Sequence, residues 1–206
     1  MTTRDTVVYS IGHSTHSIET FVALLRKAHV AAIADVRSSP YSRWQPQFNR
    51  DTLRKSLADD DIAYVFLGTE LGGRGTDGSV RDEHGRVQYR RIAESPAFCE
   101  GLRRVRAGSE RLRIALMCAE SEPLECHRGI LISRLLVAQG TPVVHIHADG
   151  HLETHRDAEH RLLRVMGLHA PDLFRTQEQI LAEAYERQEA RVAYVMPNVP
   201  PEEMAD

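Results

Sequence analysis

Leu112-Arg113-Ile114-Ala115-Leu116-Met117-Cys118-Ala119-Glu120-Ser121-Glu122-Pro123-Leu124-Glu125-Cys126-His127-Arg128-Gly129 is the stretch on which the fold turns. An apolar run from Leu112 to Met117 gives way to thiol, carboxylate, imidazole and guanidinium groups. Ile130, Leu131, Leu135 and Leu136 then resume an apolar pattern. This reads as strand, polar loop, helix. No core needs such a mixture, so the loop is the first candidate for chemistry, at the place where α/β sheets bind ligands.

The same alternation extends upstream. Val7 to Ile11 is a β-branched run ending in Gly12-His13-Ser14, and Ser17 is placed to cap a helix bearing Ile18, Phe21, Leu24, Leu25 and Ala28. Ala31 to Val36 reads as a second strand ending in Asp35-Val36-Arg37. A loop with Trp44, Pro46 and Phe48 follows, then a helix from Asn49 or Asp51 through Leu57, then a third strand over Ala63 to Leu67. Scattered glycines from Gly68 to about Ser95 mark a long irregular segment. Ser95-Pro96 is a cap with proline at the first helical position, opening a helix that stops near Gly108. Cys99 on that helix is assigned to the core. Arg128 to Gln139 is the next helix and Val143 to His147 the fifth strand. After Gly150 the chain reads as helical, with Thr176 and Gln179 at capping-box spacing. The expectation is an α/β fold: a mostly parallel sheet of about five strands, helices on both faces and a helical C-terminal extension. Residues 1–168 form the α/β domain, and 169–206 a terminal helix and tail, frayed from Pro197 to Asp206.

Composition narrows the class. The chain has 206 residues, 42% hydrophobic and 27% charged, as in an ordinary globular protein. The absence of a long apolar run and of a signal-peptide pattern points to a cytoplasmic protein with no membrane partner. Three cysteines, Cys99, Cys118 and Cys126, are too few for a secreted disulfide framework. A net charge of −3 argues against a bulk field that gathers nucleic acid. Of the 26 basic residues only Lys27 and Lys55 are lysines. Base composition explains most of that bias; a few arginines suit phosphate or carboxylate recognition.

Polar residues at the strand ends form the candidate site: His13 and Ser14, Asp35 and Arg37, Cys118 and Glu120, and His145 and His147. Cys126 stands where a helix begins, and free N–H groups with the helix dipole lower a thiol pKa there. Cys126 is therefore the preferred nucleophile, with His13 or His127 as acid/base, Asp35 or Glu120 as orienting carboxylate, and Arg37, Arg74, Arg128 and Ser14 as anion contacts. Cys118, at the end of a buried strand, serves packing as readily as chemistry. Cys118 and Cys126 with His13, His127 or His145 also offer soft metal ligands, although seven intervening residues are no standard finger spacing. A redox disulfide between them is a third chemistry. Trp44 reads either as an aromatic platform beside Arg37, Arg43 and Arg50 or as a lid on the sheet.

Gly12-His13-Ser14, Asp35-Val36-Arg37, Leu71-Gly72-Gly73, Cys118 with Glu120, Cys126-His127-Arg128, and His145-Ile146 before Asp149-Gly150 together resemble the family catalogued as domain of unknown function 488, over about Val7 to Gly150. The resemblance implies a compact α/β domain and treats the strand-end groups as one site, but it brings no agreed activity. The functional expectation is an enzyme, a hydrolase or transferase with a cysteine nucleophile, acting on an anionic, phosphate-bearing small molecule or nucleotide. The alternatives are a nucleic-acid-associated binding module and a metal-binding protein built on Cys118 and Cys126. The sequence names no cofactor, and it leaves the C-terminal helix free to mediate self-association.

Overall fold

Apolar runs separated by capped helices carry the chain through a regular alternation in the computed structural model, which describes residues 6–75, 77–170 and 172–196. The order is β1 (Val8–Gly12), α1 (Ile18–Lys27), β2 (Ala32–Asp35), α2 (Arg50–Ala58), β3 (Ala63–Phe66), short helices α3 (Gly68–Leu71) and α4 (Tyr89–Ala93), α5 (Pro96–Ser109) and β4 (Ile114–Cys118). Then come α6 (Arg134–Ala138), β5 (Val143–Ile146), β6 (Leu152–Thr154), α7 (His155–Val165) and α8 (Gln177–Val192). Ser17 Oγ accepts the Thr20 N–H at 3.2 Å, and Ser95 Oγ accepts the Phe98 N–H at 3.3 Å. Thr176 and Gln179 exchange both bonds of a capping box. Asn49 also precedes a helix, but its side chain accepts the Ser42 N–H at 2.7 Å and ties down the Trp44 loop instead.

The sheet order is β3-β2-β4-β1-β5-β6, with all neighbours parallel except β5 and β6. The sixth strand corrects the expectation of five and of an all-helical chain after Gly150. Leu152–Thr154 is too short, and Leu152 too exposed, to show a strand's apolar pattern. Thr154 then caps α7, which starts earlier than its apolar residues indicate.

Side-chain alternation along β4 sets the layers. Ile114, Leu116 and Cys118 join the cluster with Phe98, Leu102, Leu136, Leu162, Ala184 and Tyr185, whereas Ala115 and Met117 join Phe21, Leu25, Leu53 and Leu57. Helices α1 and α2 thus cover one face, and α5 to α8 the other. The inward face of α8, through Ile180, Ala184, Tyr185 and Gln188, is buried within its own chain. Cys99 is exposed, correcting its assignment to the core: its neighbours Phe98 and Leu102 turn inward and it turns out. The stretch from Pro197 to Asp206 lies outside the described residues. No helix among those described is long and apolar enough to cross a membrane.

The period of two also places Ser10 and His145 on the α7/α8 face, where a polar chain threads the core. Glu159 can only accept, so Tyr185 Oη donates to it at 2.9 Å and accepts from His155 Nε2 at 2.9 Å. His155 Nδ1 then accepts from His145 Nε2 at 2.9 Å, and His145 Nδ1 from Ser10 Oγ at 2.6 Å. With both imidazoles neutral these directions close. Burial pushes His155 down to about 4 and lowers His145 as well. A histidine held neutral in the fold but free to protonate when unfolded contributes stability above its ordinary range and loses it as pH falls. Urea unfolding should therefore show declining stability from pH 7 towards pH 4.5, with a shallower decline in His155→Gln; an unchanged slope in that variant would assign the acid sensitivity elsewhere.

Candidate active site

Backbone pairing brings three strand ends to one edge. The Val36 N–H donates to the Met117 carbonyl at 3.0 Å, and the His13 and Ser14 N–H groups to the Cys118 and Ala119 carbonyls at 2.9 Å each. Cys118 therefore sits at the open end of the sheet, facing the helix that starts after Cys126.

The loop between them is folded back tightly. The Glu120 carbonyl lies over Gly12, where a Cβ would come within 1.8 Å of its oxygen, and a Cβ on Gly129 would come within 2.0 Å of the Pro123 carbonyl. Arg128 is 1% exposed and donates from Nη1 to the Glu120 carbonyl at 2.6 Å and from Nη2 to the Ser121 carbonyl at 2.8 Å. Its guanidinium braces the loop from beneath and does not line the pocket. The helix expected from Arg128 opens as a π-helical turn over Arg128–Ser133, a feature frequent at functional sites.

This brace collects four groups. Cys118 Sγ and Cys126 Sγ lie 3.8 and 3.7 Å from the same atom, His127 Nδ1, and the three atoms lie within 4.8 Å of one another. The His127 Nε2–H donates to the Val36 carbonyl at 3.0 Å. A carbonyl can only accept, so the neutral ring keeps its proton on Nε2 and turns the Nδ1 lone pair to both sulfurs. Gly73 packs on that ring, where a Cβ would stand 2.6 Å from Cγ. Gly73 thus gives the backbone its close approach to the imidazole, while Gly72 packs on Gly68 and Ser38. Cys126 Sγ is 3.0 Å from Glu120 Oε2, and it accepts the Arg128 N–H at 3.4 Å. The next two N–H groups, of Gly129 and Ile130, go to the Cys126 carbonyl. The donors of the helix start are spent on Cys126 itself.

Burial pushes the Cys126 thiol up, but Cys118, Arg128 and His127 beside it outweigh burial and hold it well below the usual thiol range. The Cys126 sulfur and burial together raise Cys118. Burial, then Cys126, raises Glu120; burial lowers His127, and Cys126 with Glu120 and the Val36 carbonyl more than offsets it.

A pocket of about 210 Å³ opens over this cluster, and Arg37, Arg74, Cys118, Glu120, Cys126 and His127 all line it. His13, Asp35, Ser14, Arg128 and Trp44 do not. His13 stacks on Phe48 with ring centroids 4.3 Å apart; its Nδ1–H goes to the Ser14 carbonyl at 3.0 Å and its Nε2 faces Arg37 at 3.3 Å. Burial, with Arg37 alongside, lowers its pKa to about 4. Asp35 grips Arg37 in a two-pronged pair at 2.9 and 2.6 Å and accepts from Tyr64 Oη at 2.7 Å. Trp44 is 77% exposed beneath the Arg43 guanidinium, 4.9 Å away. The pocket also takes Ser38, Ser39, Tyr89 and Tyr194. Ser38 and Ser39 were adjacent to Arg37 in sequence, whereas nothing local marked the two tyrosines.

The fold and the site together define a parallel α/β protein with a thiol–imidazole–carboxylate cluster at the carboxyl edge of its sheet. The model of the family described as Domain of unknown function DUF488 matches residues 17–135, and the chain belongs to that family. No curated protein and no solved structure matches it.

Removing the brace leaves the Glu120 and Ser121 carbonyls without their donor and a gap where the buried guanidinium packed, and should be costly. Arg128→Met is expected to lower the unfolding free energy by roughly 2–4 kcal/mol. A loss under about 0.5 kcal/mol in urea titration, the range of ordinary surface substitutions, would mean that the loop holds itself.

Proposed function

We propose that Cys118, Cys126 and His127 hold a thiophilic divalent ion, zinc in the first instance, and that the protein is an enzyme acting on a small anionic molecule admitted through the pocket. The observation that carries this is the shared distance from His127 Nδ1 to the two sulfurs, 3.8 and 3.7 Å. Those lengths are long for thiol–imidazole hydrogen bonds. A tetrahedral ion about 2.3 Å from sulfur and about 2.0 Å from nitrogen sets sulfur and nitrogen about 3.5 Å apart. The Nε2–H bond to the Val36 carbonyl is the outer-shell contact that orients a ligating histidine.

Three protein ligands leave a fourth position, as catalytic zinc sites do. A bound ion would supply an activated water, and Glu120, with Oε2 3.0 Å from Cys126 Sγ, would be the neighbouring carboxylate for proton transfer, which favours hydrolytic chemistry. Soft ligands for the ion and a neighbouring carboxylate for protons is the division of labour in zinc deaminases. Arg74, which has no carboxylate partner among the described residues, gives the pocket its affinity for negative charge, with Arg37 held against Asp35 at its edge. At about 210 Å³ it is smaller than the ~300–1,000 Å³ of ordinary drug-sized sites, which favours a small metabolite over a whole nucleotide.

A second reading, Cys126 as a nucleophile, is favoured by the Arg128 N–H and guanidinium at the sulfur. Metal content separates the two. Untagged protein purified under reducing conditions should carry about one zinc per chain, lost in Cys118→Ser, Cys126→Ser and His127→Gln and kept in Cys99→Ser. Metal-free protein that binds no added zinc would overturn the metal centre and leave the thiolate reading.

A further inference from the structure

The cationic side chains around the pocket are not equivalent. Arg37 is paired with Asp35, and Arg128 is spent on carbonyls beneath the loop. Arg74 lies with its guanidinium 4.7 Å over the Tyr194 ring, its backbone N–H anchored on Ser38 Oγ at 3.1 Å. No carboxylate pairs with it among the described residues.

Tyr194 reaches the pocket because the chain after α8 forms a strap. The Val87 N–H donates to the Tyr194 carbonyl at 2.9 Å, the Met196 N–H to the Gly85 carbonyl at 3.0 Å, and Arg86 bridges antiparallel to Val195. One helical turn earlier, Glu189 accepts the Tyr89 N–H at 2.7 Å and fixes the other aromatic wall. Stacking occupies the flat face of the Arg74 guanidinium and leaves its in-plane N–H fork free, the edge that binds a carboxylate. Glu120 and Glu125 also line the pocket. Among the described residues, one unpaired cation and two carboxylates in the same lining suit a ligand with a single negative charge and disfavour a multiply charged one.

We propose that the Arg74–Tyr194 pair is the specificity element of this site, selecting small ligands that carry one carboxylate-like charge, and that the C-terminal strap is part of the site because it supplies the tyrosine. This rests on the pocket being the reaction site and not on which chemistry operates there.

Iodoacetate and iodoacetamide test it, since they are nearly equal in size and differ by one charge. Alkylation of the full-length protein as purified is followed by mass spectrometry at Cys118 and Cys126, with the exposed Cys99 as an internal reference. The rate ratio of iodoacetate to iodoacetamide should be about tenfold or more higher at the pocket than at Cys99, the effect of one charge-assisted contact. Arg74→Gln should bring it to the Cys99 value, Tyr194→Ala should lower it, and Tyr194→Phe should keep it. Arg74 is exposed, so its loss leaves the fold intact, which circular dichroism checks. Equal ratios at the two locations, or selectivity that survives Arg74→Gln, would overturn the proposal. Metal measured in the same samples judges the ion separately: selectivity without metal keeps this pair and removes the ion, and metal without selectivity does the reverse.

Discussion

Arg128 carries a positive charge into the interior and, among the described residues, pairs with no carboxylate but donates to the carbonyls of Glu120 and Ser121. A buried guanidinium is costly unless its donors are used and a negative charge lies near. The loop it braces uses Nη1 and Nη2, Nε is left without a partner among the described residues, and the Cys126 sulfur supplies the nearby negative charge. Its donors fix the turn that swings Glu120 and Ser121 back over Gly12, and its charge favours the anionic form of the Cys126 sulfur two residues away. Through that interaction, with the His127–Val36 bond as a second tie, the loop brings Cys118, at the end of a strand, to Cys126 and His127, at the start of a helix.

The rest of the fold aligns with that point. Parallel pairing of β4 with both β1 and β2 delivers Cys118, and its alternation turns the thiol towards the helix of Cys126. The Val36 carbonyl at the end of β2 sets the His127 tautomer, and Gly73 presses on the ring from the next loop. His13, Asp35 and Tyr64 work one step back: they hold Arg37, and only Arg37 lines the pocket. The exposed Trp44 with Arg43 lies outside the pocket lining, so whatever that loop binds, it does not wall the thiol cluster.

How much was legible follows from how local each signal is. Strands β1 to β5 and the caps at Ser17, Ser95 and Thr176 could be read because apolar period and capping chemistry act within a few residues. Cys118, Glu120, Cys126 and His127 were legible as a group because they lie within ten residues of one another. Which histidine serves the thiols was not, since His13 and His127 are alike as letters, and their ring partners, the Ser14 and Val36 carbonyls, come from the backbone. Arg128 looked like an anion contact because the carbonyls it feeds leave no mark on sequence. Tyr194 was out of reach for a topological reason: its place depends on the strap pairing across to Gly85 and Val87.

The proposed centre has two sulfurs and one ring nitrogen around a common point, and X-ray absorption at the zinc edge of the loaded protein reads that shell. The expected spectrum has two sulfurs at about 2.3 Å and one nitrogen at about 2.0 Å, with one further light atom. A shell made only of oxygen and nitrogen, or one unchanged by Cys126→Ser, would contradict it.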